Sequence, residues 1–289
     1  MKYVFIINKF TVMNRLDYLC ERIKLYCNNN NIDYIIEVNS LVNSTENILK
    51  KYKNTNYIIF SVGGDGMLNR VLNSIINTKN ILGFIPFGTG NDFYKSARVQ
   101  FNNGINCCDL IKINNKYFIN TACFGIDADI ANDGFVGSKF IWLKKYKYII
   151  NLIKHFLSFK CKFFEVSVNE KKYIYPFVTI VLTNGQFYGS GFNIGPYSKL
   201  NNGKFDVYLV KKLNKFKMIK LILKMKNGKH EDDINVIKYT VDKIKINSKN
   251  RVCSNIDGES IEAKPFNVEV AKKKLQVYYD KNIIDFVLK

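Results

Sequence analysis

Along the first 119 residues, short apolar runs alternate with stretches of helical spacing. Tyr3-Val4-Phe5-Ile6-Ile7, Tyr34-Ile35-Ile36-Glu37-Val38, Tyr57-Ile58-Ile59-Phe60 and Ile81-Leu82-Gly83-Phe84-Ile85 are brief and rich in β-branched and aromatic side chains. Such runs are too short for buried helices and predict buried strands. Between them, residues 15–28 place Leu16, Leu19, Cys20, Ile23 and Cys27 at helical intervals. Residues 44–53 open on Ser44, a candidate N-cap, and residues 67–76 and 92–97 continue the alternation. Strand–helix repetition of this kind builds a mainly parallel sheet with helices on both faces. The expected fold here is an N-terminal Rossmann-like α/β domain over residues 1–119.

From about residue 120 the texture changes. Segments 117–123, 162–169, 172–182, 205–210, 239–246, 267–271 and 275–279 are β-rich and separated by turn signals. They predict an antiparallel β-sandwich domain over residues 120–280. Residues 138–159 and 215–226 are helical exceptions, and residues 281–289 form a tail with a last helical stretch at 282–288.

Two of the turns carry candidate chemistry. Ser61-Val62-Gly63-Gly64-Asp65-Gly66 follows one apolar strand, and Pro86-Phe87-Gly88-Thr89-Gly90-Asn91-Asp92-Phe93 follows the next. Neighbouring strands that end in glycine-rich turns can gather backbone N–H groups around one anion. The first turn leads into a helix, whose N-terminus favours phosphate. Open α/β sheets bind ligands at the carboxyl ends of their strands, where both turns fall. Asp65, Thr89, Asn91 and Asp92 are the polar side chains left there, all metal-holding or hydroxyl-binding types.

These two turns, in this order and spacing, resemble the signature of the diacylglycerol kinase catalytic-domain family. That family includes the bacterial soluble lipid kinases and, more distantly, sphingosine and ceramide kinases. The resemblance continues through Asn120-Thr121-Ala122-Cys123-Phe124-Gly125-Ile126-Asp127-Ala128, Asn184-Gly185-Gln186-Phe187-Tyr188-Gly189-Ser190-Gly191-Phe192, Gly195-Pro196, Asn202-Gly203-Lys204-Phe205-Asp206-Val207 and Asp257-Gly258-Glu259. It covers nearly the whole chain. The first domain would then be of the phosphofructokinase and NAD kinase type, and the tail would return to it. The implied activity is ATP- and Mg²⁺-dependent phosphoryl transfer to the hydroxyl of diacylglycerol or a related lipid. Asn8, Gly63, Gly64, Asp65, Gly66, Gly88 and Thr89 would contact nucleotide, with Asp65 handling Mg²⁺. Asn91 and Asp92 would line the cleft facing the acceptor, and Glu259 would be the catalytic base with Asp257 beside it.

The chain departs from the family pattern in places. Met67 and Arg70 stand where the family has Thr and Glu. The Asn-Pro-x-x-Gly stretch reads Asn8-Lys9-Phe10-Thr11-Val12. A structural Mg²⁺ site of some bacterial members would fall on Lys199, Asn202 and Lys204, weakened because a neutral amide replaces a carboxylate. Two other readings therefore stay open: a catalytically weak nucleotide- or lipid-binding regulator of the same fold, and an NAD kinase. The NAD kinase shares the first glycine turn but does not explain Asn91-Asp92-Phe93 or Asp257-Gly258-Glu259.

Composition narrows the setting. No apolar stretch reaches the roughly 18–20 residues of a membrane span, and Met1–Ile7 reads as a strand and not as a signal peptide. Seven scattered cysteines without a Cys-x-x-Cys pair suit reduced thiols in a cytoplasmic protein. Lysine outnumbers arginine 39 to 5 at a net charge of +20. Scarce arginine argues against base-specific nucleic-acid readout, whereas the charge suits transient binding to an anionic inner membrane surface. It also suits plain compositional bias toward lysine. Residues 138–159, with Trp142 among lysines, read either as an interfacial helix or as a core-packed one; a homodimer stays open.

Overall fold

The computed structural model describes residues 1–12, 15–40, 43–125 and 161–289. The 138–159 stretch with Trp142 lies outside the described residues, as does Asp127.

The first layer follows the apolar runs. Strands β1 (Tyr3–Ile7), β3 (Ile58–Gly63) and β4 (Ile81–Pro86) are buried at every position, as parallel strands covered on both faces must be. β2 (Tyr34–Val38) flanks β1 at the sheet's edge. Helices α1 (Lys9–Val12), α2 (Leu16–Asn29), α3 (Thr45–Leu49), α4 (Asp65–Ile75) and α5 (Asp92–Gln100) connect the strands. α2 buries Leu19, Ile23 and Cys27, spaced by four residues on one face. The Ser44 side chain accepts from Asn47 N–H and caps α3.

The first sheet has six strands in the order β2-β1-β3-β4-β19-β5, with β5 at Gly104–Cys108 and β19 at Leu275–Tyr279. β19 lies parallel to β4 and antiparallel to β5. This changes the expected organisation. Residues 275–279 belong to the first sheet, so the chain returns before residue 281. The reason is burial: Leu275, Val277 and Tyr279 complete the first core, leaving Gln276 outward. The return continues as a helix, Lys281–Leu288, whose Phe286 ring packs under Arg22 of α2 at 4.0 Å.

The second layer is antiparallel. It runs β17 (Glu259–Ala263), β16 (Val252–Ile256), β8 (Thr121–Gly125), β10 (Lys171–Thr183), β9 (Lys162–Val168), β15 (Lys243–Ser248), β18 (Phe266–Val270), β6 (Ile111–Ile113) and β7 (Lys116–Phe118). β13 (Phe205–Lys211) pairs with both β10 and β14 (Val236–Val241). The inward faces form a second core around Phe124, Phe164, Phe177, Phe205 and Phe266, giving a β-sandwich-like domain. β6 and β7 join this sheet although they precede residue 120. A short hairpin, β11 (Phe187–Tyr188) with β12 (Phe192–Asn193), stands apart between the layers.

Two expected single strands are divided. Residues 117–123 break between β7 and β8, where the backbone N–H groups of Ile119 and Asn120 bond to a side chain instead of a neighbouring strand. Residues 239–246 divide at Asp242, because β14 pairs with β13 while β15 pairs with β9 and β18. Among the described residues, no helix is long and apolar enough to cross a membrane.

Candidate active site

The two glycine turns meet. Phe87 N–H donates to the Gly63 carbonyl at 2.8 Å, extending the β3–β4 ladder into the turns. Beyond it, a Cβ on Gly88 would fall 2.4 Å from the Gly64 Cα, a distance no side chain tolerates. Only glycine at 88 lets the backbones close this far. Asn91 holds the second turn shut in the left-handed region, φ 51°. Its Oδ1 accepts from Gly88 N–H at 2.8 Å, and its Nδ2 donates to the Gly88 carbonyl at 2.9 Å. Asn91 thus shapes the turn while it lines the hollow beside Gly63, Gly64 and Asp65. Thr89 is exposed at the tip. Asn8 lies beside the first turn, its Cβ 3.4 Å from where a Gly63 Cβ would be.

Asp65 starts α4 and reaches across to α5. Its carboxylate accepts from Asp92 N–H at 3.0 Å and Phe93 N–H at 3.1 Å, capping that helix. Asp92 is buried; its carboxylate accepts from Lys95 Nζ and from Ser190 N–H, each at 2.9 Å. The two carboxylates flank Gly90, where an added Cβ would lie 3.2 Å from one and 3.3 Å from the other. Burial pushes the Asp65 carboxyl up to about 6, and the facing Asp92 adds to the rise; the two N–H bonds and Lys95 pull it back.

The Lys95 ammonium already balances the charge of Asp92, whereas Asp65 meets only backbone N–H groups, so of the two carboxylates Asp65 is the candidate for a cation; Mg²⁺ bound with phosphates takes only one or two protein carboxylates. Among the described residues no cluster of three or more acidic, histidine or cysteine side chains assembles.

Asp257 and Gly258 form the two-residue loop of the β16–β17 hairpin, with φ 47° and 90° as a type I′ turn requires. Asp257 points inward. It accepts from the N–H groups of Ile119, Asn120 and Thr121 at 2.8, 3.1 and 2.8 Å, and from Asn69 Nδ2 at 3.3 Å. Burial holds its carboxyl up to about 6 in spite of these donors. With four donors on two oxygens and 3% exposure, Asp257 fastens the β16–β17 hairpin to α4 and to the 119–121 segment, two residues before Glu259.

Glu259, one residue past the turn, reaches the first glycine turn. A Cβ on Gly66 would lie 2.9 Å from Glu259 Oε1, and one on Gly258 would lie 2.9 Å from Gly66 N. Arg70, one turn further along α4, pairs with the same oxygen at 3.0 Å.

Sequence reasoning does not single out several residues that hold this site. Asn69 links α4 to Asp257, and Asn73 accepts from Tyr117 N–H. Ser96 Oγ accepts from Gln186 N–H at 2.9 Å, and Asn120 Nδ2 donates to the Phe187 carbonyl at 3.0 Å. These bonds fasten the β11–β12 hairpin to α5 through Ser96 and to the turn between β7 and β8 through Asn120. The signal for Asn120 is its place in the Asn120–Ala128 motif; Ser96 has none.

Of Lys199, Asn202 and Lys204, the Asn202 side chain is engaged within its own loop. Asn202 Oδ1 accepts from Lys204 N–H at 3.1 Å, closing its own turn. The Lys274 ammonium lies 3.1 Å from the Asn201 carbonyl and 3.3 Å from the Asp109 carboxylate. A positive charge of the chain itself thus sits beside this loop.

A glycine-turn cleft at the carboxyl end of a parallel sheet, faced by a carboxylate from a β-sandwich, defines a phosphotransferase. Residues 2–119 match the family described as diacylglycerol kinase catalytic domain, and residues 120–279 match the YegS C-terminal NAD kinase beta sandwich-like domain. The chain belongs to the diacylglycerol kinase catalytic-domain family, the lipid kinases. It is 28% identical over 216 residues to the diacylglycerol kinase of Bacillus subtilis (strain 168), covering 70% of this chain and 71% of that one. A crystal structure of a diacylglycerol kinase from Bacillus anthracis str. Sterne shares the fold, with TM-score 0.75 at 19% identity over 98% of both chains.

Proposed function

We propose that this cleft transfers the γ-phosphoryl group of ATP to the hydroxyl of diacylglycerol or a related lipid. The observation that carries the reading is the approach of Glu259, from the sandwich, onto Gly66 of the first glycine turn. A carboxylate beside the turn whose N–H groups would hold phosphate supports a base near the acceptor hydroxyl.

Each residue then has a role. The first turn of α4 leads with backbone N–H groups that lack intrahelical acceptors, and these bind phosphate. Gly64 and Gly88 keep the floor of the cleft free of side chains. Asp65 would hold Mg²⁺, which when bound offsets charge on the phosphates, and Asp92, held by Lys95 and Ser190, would face the acceptor. Glu259 accepts the proton of the lipid hydroxyl as its oxygen forms the bond to γ-phosphorus and ADP departs. Arg70 cannot take that proton, since a guanidinium stays charged. Such an enzyme would act in the cytoplasm, transiently at the inner membrane face.

The test is γ-labelled ATP offered with a panel of lipids carrying free hydroxyls, comparing the native chain with Glu259→Gln. Label should enter diacylglycerol or a close relative, and the variant should bind ATP without transferring it. Transfer by Glu259→Gln at the native rate would remove the base assignment. No transfer to any lipid hydroxyl would remove the reading itself.

A further inference from the structure

Helix α6 (Lys215–Lys226) follows the long central strands of the sandwich and is held by one face only. Met218, Leu221 and Met225 are buried against Val181, Ile194 and Tyr208. Among the described residues, the opposite face stands exposed. Phe216, Ile219 and Leu223, spaced i, i+3 and i+7, are 86%, 39% and 60% exposed. Ile234, also 86% exposed, adjoins the same helix, because its neighbour Asp233 pairs with Lys224 at 2.7 Å.

Lysines frame this stripe. Lys215, Lys217, Lys220, Lys224 and Lys226 lie within the helix, which contains no acidic residue. An apolar stripe bordered by lysines is the pattern of a helix lying in the plane of a bilayer surface. Apolar side chains enter the acyl boundary and ammonium groups meet headgroup phosphates. On the Ile234 side Asp232 and Asp233 adjoin the patch, and Asp233 is paired with Lys224, so among the described residues the uncompensated positive charge is that of Lys215, Lys217, Lys220 and Lys226.

The helix is also joined to the cleft. α6 packs on β12, and the hairpin tip between β11 and β12 is tied to the site through Ser190 N–H and Asp92. A surface seated on α6 would therefore lie one hairpin away from the carboxylates of the cleft.

We propose that α6, with Ile234, is the face on which this chain docks to an anionic lipid bilayer, an inference resting on the lipid-kinase reading above. Docking there would bring the cleft to a substrate that never leaves the membrane.

The experiment is cosedimentation with phosphatidylcholine vesicles, with or without phosphatidylglycerol, at low and high salt. The native chain is compared with Phe216→Ser/Leu223→Ser and with Lys217→Glu/Lys220→Glu. The native chain should bind the anionic vesicles and release at high salt. Each double variant should partition at least roughly tenfold more weakly while keeping its melting temperature. Phosphorylation of a short-chain, water-soluble diacylglycerol should be unchanged, and that of long-chain lipid in vesicles should fall. Equal partitioning by native and variant chains would overturn the proposal, as would a dimer that the apolar variant dissolves to monomer. If no lipid is phosphorylated under any condition, the kinase reading fails, while vesicle partitioning still decides the docking face.

Discussion

Arg70 Nε lies 3.0 Å from Glu259 Oε1, so the nucleotide half of the chain grips the carboxylate that the sandwich half delivers. The pair is half exposed, and solvent screens it to at most about 1 kcal/mol of stability. Its effect is on where Glu259 points. Arg70→Ala should therefore lower kcat about tenfold with little change in KM for ATP, and Arg70→Lys should recover part of the loss. In a Glu259→Gln background, removing Arg70 should cost nothing further. Steady-state kinetics of the four chains decide it; additive losses would mean that Arg70 acts without Glu259.

Asp65 has two duties, and one substitution separates them. Asp65→Ala removes the carboxylate facing Asp92 and the cap on α5 together. Loss of the cap should cost about 1 kcal/mol of stability. Loss of the charge should lower the rate by roughly 10²–10³. A chain that melts slightly lower yet turns over normally would show that Asp65 is only a cap.

Asp257→Asn keeps size and shape but puts an amide where four donors converge. A donor would then face a backbone N–H, and unfolding free energy should fall by roughly 2–4 kcal/mol. Urea titration measures this directly. A drop in activity without a drop in stability would instead place Asp257 among the reacting groups.

Stability should also depend on pH through His230. The ring is wholly buried, and burial lowers its affinity for a proton. Glu231, Asp233 and the Ile194 backbone pull the other way, and Lys238 reinforces the burial. The unfolded chain thus binds the proton first, and stability is lost as pH falls below about 6.5. Asp65 and Asp257 work oppositely. Held up to about 6 from 3.8, they take protons earlier in the folded state, so stability is gained as pH falls across that interval. Urea melts of the native chain and His230→Phe between pH 7 and 5 isolate the first effect. The native chain should lose up to about 1.4 kcal/mol per pH unit relative to the variant. Parallel curves would show that His230 does not titrate with unfolding.

What the sequence reveals of this protein tracks how local each cause is. The strands β1, β3 and β4 and both glycine turns are legible because their signals lie within ten residues. That the turns touch is not, since it depends on the register that sets Gly63 opposite Pro86. Asp257 in its Asp-Gly turn is readable as a hairpin. Its backbone partners lie 136 to 138 residues earlier and Asn69 lies 188 earlier, and nothing in the spacing announces them. The alternation in Leu275-Gln-Val-Tyr-Tyr marks a strand with one buried face, which either sheet could accept. Only the open place between β4 and β5 decides for the first.

That place has a consequence for how the chain is made. β19 sits between β4 and β5 and, among the described residues, is the strand that joins them. As the chain leaves the ribosome, the first sheet cannot close until the whole sandwich has emerged. Until then β4 presents an unpaired, wholly apolar edge, the kind of edge that recruits other chains. Synthesis of this protein therefore includes a long interval in which the nucleotide half is nearly built and still adhesive.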